Sequence, residues 1–281
     1  MSIQSATSQT LPSILADLNY IAPTREKPRT YTYDPPAGVP RTTVINETHT
    51  VHIADARPII GDVTLDGEGF GLVTQPSAVR DFYDDEQVRT VYYPEAEKLI
   101  ADLTGADRVS IFDHTVRRRI PGSEDRRANA LRQPVPRVHV DHTDWSGPQR
   151  VRDLFPDDAP ALLRGRVQII NLWRPIRGPL LDSPLAVCDA RTVRQDQLIA
   201  SDLIYPDRTG ETYSVKFDAR HRWYYVPAMT VDEVLLLKCY DSEIDGRARF
   251  LPHTAFTDPT TPSDAPPRES IELRTLVFHA S

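Results

Sequence analysis

His139-Val140-Asp141, His253 and Arg268-Glu269-Ser270 are the residues whose types and spacing could together do chemistry. Positions two apart on a strand face the same way. A strand at this point would aim the His139 imidazole and the Asp141 carboxylate at one place. The imidazole of His253 would complete two histidines and one carboxylate on one side of a metal. That set leaves coordination positions open and is the solution used by non-haem Fe(II) oxygenases. Arg268 and Ser270 repeat the spacing of two, and a guanidinium fork beside a hydroxyl suits a carboxylate. Together these residues predict an oxygenase using Fe(II), a keto acid such as 2-oxoglutarate, and O2. His142 lies at odd spacing from His139, which places it beside the site and outside the ligand set.

Such residues need a rigid frame to position them. From residue 166 onward, short runs rich in β-branched and aromatic residues recur: Val167 to Trp173, Leu185 to Cys188, Tyr213 to Phe217, Trp223 to Val226, Val234 to Tyr240, Arg249 to Phe250 and Ile271 to Phe278. Turn residues separate them, which predicts a mainly β fold, a jelly roll or double-sheet barrel with flanking helices. Asp85 to Leu103 reads as a helix, with Val88, Val91, Tyr92, Ala96, Leu99, Ile100 and Leu103 near one face and Gly105 as its stop. A shorter helix is expected at Pro148 to Phe155 with Ser146 as its cap. The helices should cover the outer face of one sheet. Thr43 to Ile53 and Arg108 to Phe112 read as strands, and Gly67 to Gly71 as a turn without the frame of a dinucleotide fingerprint. Residues 1–40, polar and proline-rich, read as an extended N-terminal arm ordered where it packs on the body. Residues 41–281 read as a single oxygenase domain with a β-barrel core.

The net charge of -7 argues against nucleic acid as the main partner. Arg117-Arg118-Arg119, with Arg126 and Arg127 nearby, reads as a solvated loop, with a patch for an anionic substrate as the alternative. The two cysteines, Cys188 and Cys239, lie in apolar runs and read as buried thiols, which fits a cytoplasmic protein. No apolar run is long enough to span a membrane, and no secretory signal is visible.

Six segments occur in an order that resembles one family: Phe112-Asp113-His114-Thr115, His139-Val140-Asp141, Asn171-Leu172-Trp173-Arg174-Pro175, Asp182-Ser183-Pro184-Leu185-Ala186, His221-Arg222-Trp223-Tyr224-Tyr225 and Pro252-His253-Thr254-Ala255-Phe256. The chain resembles the Fe(II)/2-oxoglutarate oxygenases grouped with the cephalosporin 7α-hydroxylase/methoxylase component and with fungal gibberellin-desaturase-like hydroxylase/desaturases. The likeness runs from about residue 60 to the C-terminus. It implies a double-stranded β-helix (cupin-like) fold and Fe(II) on His139, Asp141 and His253. It also implies 2-oxoglutarate and O2 as cosubstrates and a secondary metabolite as substrate. Arg268 with Ser270 is the preferred anchor for the distal carboxylate, and Arg274, of the same parity, competes with it.

Asn171, Trp173 and Arg174 are further cofactor-binding candidates, with Arg174 on the opposite strand face. His221, Trp223 and Tyr225 could be core or substrate cage, and His114 could line the pocket or play a hydrogen-bonded structural role. The expected partner is a small organic molecule that is hydroxylated or desaturated, with a homodimer or partner protein left open. A non-oxidative isomerase or lyase and a non-catalytic partner subunit are the competing readings. Arg268 and Ser270 weigh against the first, and the intact set of His139, Asp141 and His253 weighs against the second.

Overall fold

A computed structural model describes residues 11–123 and 131–280. Arg126 and Arg127 of the basic stretch lie outside the described residues. The strands, in chain order, are β1 (Ser13–Ile21), β2 (Arg29–Tyr31), β3 (Asn46–Asp55), β4 (Phe70–Thr74), β5 (Arg108–Arg118), β6 (His139–Val140), β7 (Val167–Pro175), β8 (Leu185–Cys188), β9 (Leu198–Ile204), β10 (Thr209–Val215), β11 (Trp223–Tyr225), β12 (Glu233–Asp241), β13 (His253–Ala255) and β14 (Glu269–Phe278). They form a nine-stranded sheet, β1-β3-β11-β8-β13-β6-β10-β9-β2, and a five-stranded sheet, β4-β12-β7-β14-β5. Apolar side chains from both sheets, among them Val140, Val187 and Tyr213 from one and Ile169, Trp173 and Leu237 from the other, share one core. This is the predicted jelly roll, two curled sheets facing each other.

Several expectations need correction. The stretch read as an arm is built into the large sheet from Ser13, where β1 pairs antiparallel with β3 from Ser13 to Ile21. Arg249 and Phe250 are outside any strand, and β9 falls where no strand was expected. Arg117 and Arg118 end β5, so they belong to a sheet and not to a solvated loop.

The helix expected at 85–103 forms as α1 (Asp85–Gln87), a π-helical turn (Val88–Tyr92) and α2 (Tyr93–Thr104). Asp84 caps its start by accepting from the backbone N–H groups of Glu86 and Gln87. Gly105 ends it at φ 65°, a left-handed conformation that costs glycine little. Val88, Tyr92, Ala96 and Ile100 pack against Ile170, Leu172, Leu236 and Leu273 on the outer face of the five-stranded sheet. This is the one-sided helical cover that the apolar stripe predicts. Among the described residues no helix is long and apolar enough to cross a membrane.

The second helix, α3 (Ser146–Leu154), is capped differently from the expectation. Thr143 Oγ1 accepts from the backbone N–H of Trp145 and of Ser146, while the Ser146 hydroxyl accepts from Thr143 N–H at 2.9 Å. A short fourth helix, α4 (Ala159–Leu162), follows. Gly147 lets α3 approach the sheet: a Cβ there would lie 2.6 Å from the Tyr240 ring. Gly147→Ala should therefore cost about 1–3 kcal/mol through overpacking. Thermal unfolding checks this, and an unchanged Tm would mean that the ring moves aside freely.

Candidate metal centre and cavity

Two neighbouring strands of the large sheet carry the histidines. His139 begins β6, His253 begins β13, and the two are direct register partners. Their ring centroids are 4.4 Å apart. Asp141 follows the last residue of β6, so the strand is shorter than the reading of 139–141 required. Its carboxylate still meets both rings: Oδ1 lies 3.3 Å from His139 Nε2 and 3.8 Å from His253 Nε2. One donor atom from each of the three residues lies within 4.8 Å of the others. Two donors bound at about 2.1 Å and at right angles around a metal are about 3 Å apart, so this set is close to closing on one ion.

The outer contacts of the ligands also fit a metal. His139 Nδ1 is 2.8 Å from the carbonyl of Arg137, and His253 Nδ1 is 3.1 Å from the carbonyl of Leu251. A carbonyl accepts only, so each Nδ1 carries the proton and each Nε2 keeps its lone pair for the metal. Burial and the neighbouring His139 push the His253 imidazole down from its ordinary value, which keeps it neutral. Burial opposes ionisation of Asp141. The Arg274 guanidinium and the contact with His139 outweigh it and hold the carboxyl well below its ordinary value.

Asp141 Oδ2 accepts from Asn171 Nδ2 at 2.8 Å and from Arg274 Nε at 3.2 Å, which leaves Oδ1 for the metal. Asn171 lies on β7 directly opposite Arg274 on β14. Arg274 also donates to Glu272 at 2.6 Å, Asp113 at 3.1 Å and Thr115 at 3.0 Å. Glu272 Oε1 in turn accepts from Asn171 at 3.0 Å. Sequence reasoning weighed Arg274 only as a carboxylate anchor. Its parity with Ser270 was the signal that it faces the barrel interior. Asn171→Ala removes one of the two donors on Oδ2 and should weaken metal affinity roughly 10–100-fold. A competitive chelator titration measures it, and unchanged affinity would mean that Arg274 alone orients the carboxylate.

Arg268, just before β14, is 3% exposed. It donates from Nε to Ser270 Oγ at 3.0 Å and from Nη1 to the carbonyl of Ser183 at 2.9 Å. Its guanidinium carbon lies 4.8 Å from the centre of the Trp173 ring. Burial, with Arg117 nearby, pushes the Arg268 guanidinium down to about 9. That is the signature of a buried cation short of a counter-charge.

Arg174 does not join these residues. It points to the opposite side of β7, between the rings of Phe82 and Tyr92 at 5.5 Å from each, and donates to the carbonyl of Val231. His221 and Trp223 are core: Trp223 Nε1 donates to Tyr20 Oη at 2.7 Å, and His221 contacts Tyr20 and Gln197. Tyr225 packs its ring edge-on against Phe256 in the same cluster.

A cavity of about 920 Å³ opens beside the ligands and is lined by His139, Asp141 and His142, with Phe112, Arg117 and Arg274 on its walls. Burial pushes the His142 imidazole down to about 4, and its Nδ1 is 3.4 Å from Ser146 Oγ. It stands beside the donor set, as the odd spacing required. His114 combines what read as alternatives: it lines the cavity and its Nδ1 is 2.8 Å from Tyr93 Oη. Phe112 sits where β5 shifts register against β14, a bulge of the kind that re-aims side chains next to sites. Arg268 and Trp173 do not line it. Cys188 and Cys239 are buried free thiols, and burial pushes Cys188 up to about 12.

Comparison with known proteins agrees with this chemistry. A family profile described as an oxidoreductase/YMDC permease-like domain matches residues 18–278. The hydroxylase/desaturase efuI of Hormonema carpetanum is 39% identical over 251 residues, covering 82% of this chain and 84% of its own. The Fe(II)/2-oxoglutarate-dependent dioxygenase nvfI of Aspergillus novofumigatus is 35% identical over 237 residues, covering 82% of this chain and 83% of its own. A solved structure of the iron and alpha-ketoglutarate-dependent endoperoxidase NvfI superposes with a TM-score of 0.85 at 32% identity, covering 96% of this chain and 99% of that one. The chain belongs to the Fe(II)/2-oxoglutarate-dependent hydroxylase/desaturase family of oxidoreductases.

Proposed function

We propose that this protein hydroxylates or desaturates a small organic metabolite, with Fe(II) held by His139, Asp141 and His253 and 2-oxoglutarate anchored by Arg268 and Ser270. The observation that carries the reading is the donor set itself: two Nε2 atoms and one carboxylate oxygen converge at the cavity, with each remaining ligand atom already hydrogen-bonded. When bound, Fe(II), 2-oxoglutarate and O2 supply the oxidising power that breaks a substrate C–H bond, with succinate and CO2 as coproducts.

The chain's own residues orient and enclose. Asn171 and Arg274 hold the Asp141 carboxylate in place, so it serves as a ligand and carries no proton. Arg268 supports cosubstrate binding better than Arg274 does, because the Arg274 guanidinium is already shared among Asp141, Glu272, Asp113 and Thr115. Trp173 backs the anchor, and Asn171 serves the ligand and not the keto acid. The cavity volume suits a metabolite and lies within the range of small-molecule sites. The family favours the oxidative reading over an isomerase or lyase, and the intact donor set favours catalysis over a non-catalytic partner subunit.

The test is an anaerobic titration with Fe(II) and then 2-oxoglutarate, which should produce a weak visible charge-transfer band. Succinate formation should rise when a small-molecule extract is supplied, with a mass shift in one compound. Turnover confined to folded protein or oligonucleotide would reject the substrate class. His142→Ala protein should retain iron; loss of iron there, with retention in His139→Ala, would overturn the ligand assignment.

A further inference from the structure

Two arginines on the cavity wall form no ion pair with a carboxylate among the described residues. Arg150 on α3 and Arg208 in the turn between β9 and β10 both line the cavity that contains His139 and Asp141. Each is backed by an aromatic ring: the Arg150 guanidinium lies 5.4 Å from the Phe112 ring centre, and that of Arg208 lies 4.0 Å from the Tyr205 ring centre. The Nε of Arg150 is buried without a hydrogen-bond partner. Burial, and then the neighbouring Arg208, push the Arg150 guanidinium down from its ordinary value.

The carboxylates on the same walls already have partners. Glu211 pairs with Lys27 at 2.6 Å, Asp85 with Arg89 at 2.7 Å, and Asp113 and Asp141 with Arg274 at 3.1 and 3.2 Å. Asp153 accepts from Gln149 at 2.7 Å. Among the described residues, no carboxylate forms an ion pair with Arg150 or Arg208. The charges of Asp153 and Asp113 offset the repulsion at Arg150 only from a distance, without an ion pair. Two like charges on one cavity wall, each over a ring and neither in an ion pair, favour an anion between or beside them.

We propose that Arg150 and Arg208 form the recognition site for a carboxylate on the substrate, so that the protein acts on an anionic metabolite held at this end of the cavity with its reacting carbon toward the metal centre. The inference rests on the functional reading above. It also separates two tasks: Arg268, which does not line this cavity, serves the cosubstrate, and the Arg150–Arg208 pair serves the substrate. The guanidiniums, each lying over a ring, present planar cationic faces on which an unsaturated or ring-bearing acid can stack.

The test uses naphthoate, its neutral isostere naphthamide, and naphthyl phosphate. Each is titrated by calorimetry into protein loaded anaerobically with Fe(II) and 2-oxoglutarate, so that the keto acid already occupies its place. Wild-type protein should prefer naphthoate over naphthamide by roughly tenfold or more, the value of a single charge-assisted hydrogen bond. Arg150→Gln and Arg208→Gln should each reduce that preference and together remove it, with 2-oxoglutarate affinity retained. Arg150→Lys should restore part of it. Equal binding of acid and amide by the wild type would overturn the proposal, as would a preference that survives in the double variant. Tighter binding of naphthyl phosphate than of naphthoate would overturn the carboxylate assignment. Loss of 2-oxoglutarate binding in the variants would reassign the pair to the cosubstrate. Calorimetry reads the acid-over-amide preference separately from the absorbance band that reports 2-oxoglutarate, so failure of the functional reading is told apart from failure of this one.

Discussion

Asp141→Ala protein is expected to fold and to bind iron more than roughly a hundredfold more weakly than wild type, exceeding the loss expected when only a ligand's hydrogen-bond partner is removed. Three effects act together. One of three protein ligands disappears, so coordination falls to two imidazoles. The negative charge that offsets a divalent cation disappears with it. Arg274 remains, leaving a buried guanidinium beside the metal position with Glu272 and Asp113 as its partners. Asp141→Asn keeps the shape but has one acceptor oxygen for two tasks: holding the bond from Arg274 turns its NH2 group to the metal, so its iron affinity should fall close to that of the alanine variant. Iron retained after desalting, succinate formation and circular dichroism give the three readings. An alanine variant that keeps both iron and turnover would remove Asp141 from the ligand set. The His139→Ala and His253→Ala proteins should behave similarly.

The second large effect is at Arg268. Breaking a buried charged pair by removing one partner costs about 3–5 kcal/mol. Arg268→Ala should therefore raise the 2-oxoglutarate requirement by roughly two to four orders of magnitude. Iron binding should stay near wild type, because Arg268 makes no contact with His139, Asp141 or His253; its partners are Ser270, Ser183, Asp182 and the Trp173 ring. Arg268→Lys should recover only part of the loss, since an ammonium cannot reproduce the fork that reaches Ser270 and a carboxylate together. Titration of the charge-transfer band with 2-oxoglutarate gives the affinity directly. A wild-type requirement in Arg268→Ala, with the defect appearing in Arg274→Ala, would move the anchor to Arg274.

Residue chemistry carried the site further than it carried the frame. The convergence of His139, Asp141 and His253 could be read because few combinations of side chains hold a metal and leave it open. The pairing of β6 with β13 could not, since strands of two and three residues carry no pattern that sets their register. The first helix was legible from its apolar stripe, but its π turn at Val88–Tyr92 leaves no mark in spacing. Strand β9 escaped because Ser201 and Asp202 interrupt its apolar run; Ser201 is buried and satisfied by Ser214 across the sheet at 2.9 Å. Arg174 misled for the opposite reason. A cation next to a proline read as a site or surface residue, whereas tertiary packing places it between two aromatic rings beneath the helix. Arg150 and Arg208 had no sequence signal, because only the folded chain brings a helix and a distant turn to one cavity.

The two proposed histidine ligands are oriented by carbonyls two positions earlier in the chain, at Arg137 and Leu251, just before β6 and β13 begin. Main-chain atoms are indifferent to what the surrounding side chains become. Two of the three proposed iron ligands therefore carry their alignment within their own peptide segments, and only the carboxylate borrows its alignment from elsewhere. The walls contributed by α3 and by the β9–β10 turn can change size, charge or shape while those imidazoles stay aimed. In engineering terms the oxidising centre and the specificity surface are separable parts, and substitutions aimed at a new substrate belong at Arg150, Arg208 and their neighbours.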